Sequence, residues 1–134
     1  MKKLLNYING ELLEPHSKEY IENESPVDGQ VFSLVPDSDK QDVEKAVEAA
    51  KKAFPFWSGL SKKERHDHLM RLADGIQARF DEMVEAESKD NGKPVNLAKA
   101  IDIPRAASNF RFFGNAITQF ASESHESVGQ NAIN

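Results

Sequence analysis

The sequence predicts a mainly α-helical unit with a small N-terminal β hairpin, and three observations carry that expectation. Residues 4–13 and 19–36 are rich in β-branched and aromatic types, the composition of strands. From Ser38 onward apolar residues return every three or four positions, the period of helices with one buried face. No Gly/Ser or Pro linker and no internal repeat divides the chain, so one unit is expected: a β ribbon over 1–36, a helical part over 37–121 and a connector over 122–134.

Each element follows from local chemistry. A strand is expected at residues 4–8, then a hairpin of 20–23 with 30–35. Its turn is Pro26-Val27-Asp28-Gly29, where proline presets φ and glycine accepts a positive φ. So few strands are marginal alone and need a partner surface. Ser38 and Gln41 form a capping-box pattern, in which each side chain satisfies the other's orphan N–H. Val43, Ala46, Val47, Ala50, Phe54 and Trp57 then line one apolar face, with Pro55 and Gly59 marking the exit.

Ser61 and Glu64 repeat the cap for a second helix, whose expected buried face is Leu69, Leu72, Ala73, Ile76 and Phe80. Residues 81–89 suit a short helix carrying Met83, Val84 and Ala86, stopped by a left-handed Asn91-Gly92. The last helix is expected over 103–121, with Asp102 as N-cap and Pro104 in the first turn, where a missing N–H costs little. Ala106, Phe110, Phe113, Ile117 and Phe120 make its stripe, and Phe112, off that stripe, is free to face another subunit or domain. Residues 122–134 are polar and aperiodic and read as a connector or a disordered end.

Composition narrows the function. A compact domain of 134 residues buries roughly two-thirds of its unfolded surface, so a real core is possible. With 39% hydrophobic and 29% charged residues the chain is globular, and its mean hydropathy of -0.60 places it on the polar side, as long solvated helix faces require. A net charge of -5 and no concentrated Lys/Arg surface argue against nucleic acid as a partner. The absence of cysteine excludes a disulfide framework, a thiolate nucleophile and a thiolate zinc site within these residues. Met1-Lys2-Lys3-Leu4-Leu5 begins like a signal peptide, but Asn6, Asn9 and Glu11 interrupt any apolar run. No stretch is long and apolar enough to span a membrane, so no membrane partner is expected and the cytoplasm is the expected compartment.

The search for chemistry in these residues yields no catalytic, cofactor-binding or metal-ligating set. The glycines stand at 10, 29, 59, 75, 92, 114 and 129, which leaves no G-x-G-x-x-G or P-loop spacing to cradle a phosphate. His66 and His68, two apart on a helix, point to different faces and cannot share an ion. His16 and His125 stand in loop-like surroundings without acidic partners. Asp81, Glu82, Glu85, Glu87 and Asp90 read as a solvated helix face. One residue stands out. Arg105 lies in the first turn of an otherwise apolar helix, where a guanidinium can hold a carboxylate through two parallel hydrogen bonds; the competing reading is a surface arginine paired with Asp102 or left in water. The same competition applies to Arg111, for which a structural ion pair is the stronger case.

Several short runs stand in a characteristic order: Tyr7-Ile8-Asn9-Gly10-Glu11, Ser25-Pro26-Val27-Asp28-Gly29, the helix from Asp42 to Trp57, Ser61 with Glu64-Arg65, Asp90-Asn91-Gly92-Lys93-Pro94, and Asn109-Phe110-Arg111-Phe112-Phe113. Together they resemble the opening part of an NAD(P)-dependent aldehyde dehydrogenase over about residues 5–121, with Ser25 where asparagine is usual and Val27-Asp28 in place of Ala-Thr. Asp102-Ile103-Pro104-Arg105 and the run from Asn109 to Phe113 most resemble the 2-hydroxymuconic and 2-aminomuconic semialdehyde dehydrogenases.

The resemblance implies an α/β aldehyde dehydrogenase fold for the complete enzyme and an aldehyde, carboxylate-bearing in this branch, as small-molecule substrate. It implies NAD as cofactor, held by residues absent from this chain, and a homo-oligomer, dimer or tetramer. It places Arg105 at the substrate entrance, facing the substrate carboxylate. In some members the position of Asp90 helps hold a monovalent cation, which is not expected here because Asn23 and Glu24 replace the usual residues. By itself the chain is then expected to be an inactive fragment. The other reading is a free-standing interaction module derived from that fold, whose apolar helix faces would need a partner.

Overall fold

The computed structural model describes residues 1–121, 124–127 and 130–133. The N-terminal ribbon holds β1 (Lys2–Lys3), β2 (Asn6–Ile8), β3 (Glu11–Leu13), β4 (Tyr20–Glu24) and β5 (Val31–Pro36). β2 and β3 form an antiparallel hairpin about Asn9 (φ 54°) and Gly10 (φ 82°). Two successive positive φ values are what a two-residue type I′ turn requires, and Asn-Gly is the pair that accepts them. The strand expected at 4–8 is thus β2 alone, and Asn9-Gly10 was the signal for its partner. β4 pairs antiparallel with β5, as expected, with a bulge at Asn23/Glu24, and β1 adds parallel to the other edge of β5.

Helix α1 (Lys40–Gly59) starts one residue later than Ser38 and Gln41 predicted. Asp39 is the N-cap: its Oδ1 accepts from the backbone N–H of Gln41 at 2.8 Å, while Oδ2 of Asp42 accepts from the backbone N–H of Asp39 at 3.1 Å. Two carboxylates make stronger, charge-assisted bonds to these amides than Ser and Gln would. Ser38 instead trades hydrogen bonds with Asn6 and ties β2 to the start of the helix. Pro55 lies inside α1 rather than at its exit. The face predicted to be buried is open: Val43, Val47, Phe54 and Trp57 are exposed, and Asp42 is the buried residue of this helix.

The packed core lies where α2 (Lys62–Ala78), α3 (Phe80–Asn91) and α5 (Ile103–Gln119) meet. Val84, Ala98 and Ile103 are buried there, with Ile76, Phe80 and Met83 packed around them. The Ser61/Glu64 capping box forms as predicted. Ala73 is fully buried, whereas Leu72, expected on the same face, is 51% exposed. Phe80 belongs to the start of α3, which ends on Gly92 (φ 73°). A Cβ on Gly92 would meet Cγ of Pro26 at 2.9 Å, so the stop is also where ribbon and helices touch.

The last helix departs most from expectation. Asp102 is no cap but helical itself, within a π-turn (Ala98–Asp102) that joins α4 (Val95–Leu97) to α5. The wider turn absorbs Pro104, which lacks the N–H that an unbroken α register would use. α5 turns Ile103, Ala107 and Gly114 inward, not Phe113 and Phe120, which are 62% and 73% exposed. Gly114 lets the helices approach closely: a Cβ there would meet Cε of Met70 at 2.6 Å and Cβ of Leu69 at 3.3 Å.

Where a connector or disordered end was expected, β6 (Ser124–Ser127) and β7 (Gln130–Ile133) pair antiparallel. The accessible surface of 10144 Å² compares with roughly 7,000 Å² for a compact monomer of 15.0 kDa. The outward faces of α1 and α5 carry exposed aromatics, Phe54, Phe56, Phe112 and Phe113 among them.

Candidate substrate-entrance helix

Ile103, Ala107 and Gly114 fix the rotation of α5 against α2. At ~100° per residue this sends Arg105 to the opposite side of the helix, about 200° from Ile103. Asn109 and Phe112, four and seven positions on, share that outer face, and all three are exposed. Phe112 meets Phe113 edge to face, ring centroids 5.2 Å apart. The outer face therefore offers a guanidinium and an amide followed by an aromatic surface. Among the described residues the Arg105 guanidinium makes no hydrogen bond or ion pair; Asp102, the partner considered for it, is engaged elsewhere. Arg111 does form an ion pair, to Asp74 of α2 at 2.7 Å.

Lys93 is the residue that engages Asp102, and sequence reasoning missed its role. Its Nζ donates to Oδ2 of Asp102 at 2.6 Å and lies 3.7 Å from Glu87. The hydrogen bond to Asp102 holds the Lys93 ammonium above the usual lysine range, against a smaller opposing effect of burial. The turn that carries Lys93 is bonded at both ends: its backbone N–H donates to Oδ1 of Asn91 at 2.9 Å and its carbonyl accepts from Ser88 at 2.6 Å. The signal was the Asn91-Gly92-Lys93-Pro94 run; the missing information was which carboxylate the lysine reaches nine residues later.

The remaining candidates find structural partners. His66 sits between Asp67 (2.9 Å) and Asn115 of α5 (3.2 Å), and His68 packs edge-on against Trp57 and accepts from Arg71. His16 does have acidic partners, contrary to expectation. Its Nδ1 is 2.8 Å from Asp39 Oδ2, and its backbone N–H donates to both oxygens of Asp42 at 3.1 Å. Those partners are remote in sequence and are delivered by the start of α1. The side chain of His125 lies outside the described residues. Asn23 donates to Asp90 at 3.0 Å, and among the described residues no three His, Asp or Glu side chains gather as a metal site.

A dinucleotide does not fit the groups present among the described residues. Among the described residues the left-handed glycines Gly10, Gly29 and Gly92 serve a hairpin, a turn and a helix stop, each separately.

A mainly helical unit with a flanking β ribbon, arranged in this way, is part of the α/β aldehyde dehydrogenase fold. Crystal structures of PnpE, one of the Pseudomonas sp. WBC-3 protein and one in complex with nicotinamide adenine dinucleotide, superpose with a TM-score of 0.88 at 34% identity, over 95% of this chain and 26% of theirs. Residues 12–134 match the aldehyde dehydrogenase family, and the chain belongs to that family. It is 47% identical to the 2-aminomuconic semialdehyde dehydrogenase of Bos taurus over 120 residues, 90% of this chain and 24% of the relative. It is 42% identical to the 2-hydroxymuconic semialdehyde dehydrogenase of Pseudomonas sp. (strain CF600) over 138 aligned positions, all of this chain and 28% of that one. The chain thus spans about a quarter of the length of the curated relatives it matches.

Proposed function

We propose that this chain is part of an NAD-dependent dehydrogenase that oxidises a carboxylate-bearing semialdehyde to the acid, and that Arg105 holds the substrate's carboxylate at the entrance. The observation that carries the reading is the exposed guanidinium of Arg105 on the outer face of α5, which makes no hydrogen bond or ion pair among the described residues. A guanidinium in that setting presents two parallel N–H groups matched to a carboxylate, and Phe112 continues the same face with apolar surface for a carbon chain. The names of the muconic relatives and the NAD-bound PnpE structure support the substrate class and the cofactor.

The chain's own contribution is binding and orientation. It supplies no cysteine for attack on the aldehyde and, among the described residues, no cradle for NAD, so the 134 residues alone are inactive, and hydride transfer to NAD belongs to other parts of the enzyme. The exposed faces of α1 and α5 pack against those parts, in a cytoplasmic homo-oligomer.

The test is a graft of this chain in place of the corresponding quarter of the Pseudomonas relative, followed through NADH absorbance. With a carboxylate-bearing semialdehyde, Arg105→Ala is expected to raise KM roughly tenfold to a hundredfold, since a charged hydrogen-bond pair contributes about 1.5–3 kcal/mol. KM for a neutral aldehyde is expected to stay where it was. Equal changes for both substrates would refute the role of Arg105, and NADH formation by the 134-residue chain alone would refute its inactivity.

A further inference from the structure

Asp102 closes the π-turn that runs directly into α5 and stands three residues before Arg105, the spacing at which helix side chains can meet. They do not pair. The Asp102 carboxylate, 24% exposed, turns to Nζ of Lys93 at 2.6 Å. Lys93 can reach it because the Asn91-Gly92 stop reverses the chain and the Ser88 and Asn91 bonds hold the turn in place. Ala98 and Ile103, both buried, fix the π-turn that presents Asp102 to the lysine.

We infer that Lys93 is a positioning residue for substrate binding: by occupying Asp102 it keeps the Arg105 guanidinium free for the substrate carboxylate. Without Lys93, Asp102 becomes an internal competitor for Arg105. The inference rests on the proposed role of Arg105 and adds to it a device that prevents self-inhibition within one helix. A lysine that only braced the turn would affect all substrates alike; a lysine that removes a competitor affects only those that need Arg105.

Four variants in the same graft test it. Exposed or partly exposed pairs of this spacing contribute about 0.2–1 kcal/mol, so Lys93→Met is expected to raise KM for the carboxylate-bearing aldehyde about two- to fivefold while kcat and KM for a neutral aldehyde hold. The double variant Lys93→Met/Asp102→Asn removes the competitor as well and is expected to restore KM. Asp102→Asn alone is expected to leave KM unchanged or lower, and it remains informative if Lys93→Met folds poorly, because a selective rise in its KM overturns the inference. Arg105→Ala calibrates the whole set.

If Arg105→Ala does not separate the two aldehydes, the substrate reading itself falls. If it does, and Lys93→Met shows no selectivity or the double variant no rescue, only the inference about Lys93 falls. A readout free of turnover is the Nε–Hε NMR signal of Arg105 in the 134-residue chain. It is expected to shift in Lys93→Met and to return in the double variant, and an unmoved signal in Lys93→Met overturns the inference.

Discussion

Gly114 and Gly75 are both helical glycines, and the structure predicts opposite outcomes for the same substitution. In an exposed helix interior, Gly→Ala is worth about 1 kcal/mol through helix propensity alone. Gly75, in α2, has nothing within 4 Å of where a Cβ would stand. Gly75→Ala should therefore gain close to the full amount. At Gly114 the new methyl would lie 2.6 Å from Cε of Met70 and 3.3 Å from Cβ of Leu69.

The Met70 methyl ends a flexible chain and can swing aside. The Leu69 Cβ is fixed to the backbone of α2, so the two helices must separate by a few tenths of an ångström. Overpacking of this kind costs about 1–3 kcal/mol, which outweighs the propensity gain and leaves a net loss of about 1 kcal/mol. On a chain of this size that corresponds to a fall in Tm of about 4 °C, against a similar rise for Gly75→Ala. Thermal unfolding followed by far-UV circular dichroism measures both. If Gly114→Ala proves as stabilising as Gly75→Ala, α2 and α5 are not in the close contact on which the orientation of Arg105 depends.

Two further outcomes follow from the ends and faces of α1. The hydrogen bond from His16 holds the Asp39 carboxyl below the usual aspartate range, with the backbone amides of Asp42 and Gln41 adding to it. A depressed folded-state value stabilises the fold above the unfolded pKa and is lost as the pH falls through the folded one. His16→Ala should therefore reduce stability at neutral pH, and the deficit should vanish on acidification below the carboxylate range; urea unfolding across that range checks it, and a deficit that persists in acid refutes it. The second outcome concerns Phe54, 63% exposed on an open face. Phe54→Ser should lower self-association of the 134-residue chain, read by light scattering, and leave its Tm unchanged; a matching fall in Tm would mean that Phe54 is buried within the chain.

Local chemistry made much of this molecule legible. The Ser61/Glu64 cap, the Gly92 stop and the β4–β5 hairpin depend on groups within a few residues of one another, so sequence alone specifies them. The motifs also sufficed for the family and the aldehyde dehydrogenase fold. Arg105 could be singled out as a cation in an apolar setting, but not as one without a partner among the described residues.

Rotation and long-range partners were decided by packing. α5 carries two overlapping apolar stripes, one through Phe113 and Phe120 and one through Ile103, Ala107 and Gly114; period alone cannot rank them. Weight by size favours the aromatics, yet close approach of α2 favours the small residues, and that choice turns the helix about a quarter turn and sends Arg105 outward. The pairing of His16 with Asp39 and of Lys93 with Asp102 likewise required the folded chain, because separations of 23 and nine residues become 2.8 and 2.6 Å only once the turns between them are closed. What sequence determined is the set of local bonds each residue can make with near neighbours; which distant partner each charge meets, and which face each helix hides, belonged to the tertiary structure, because both depend on how closely backbones can approach.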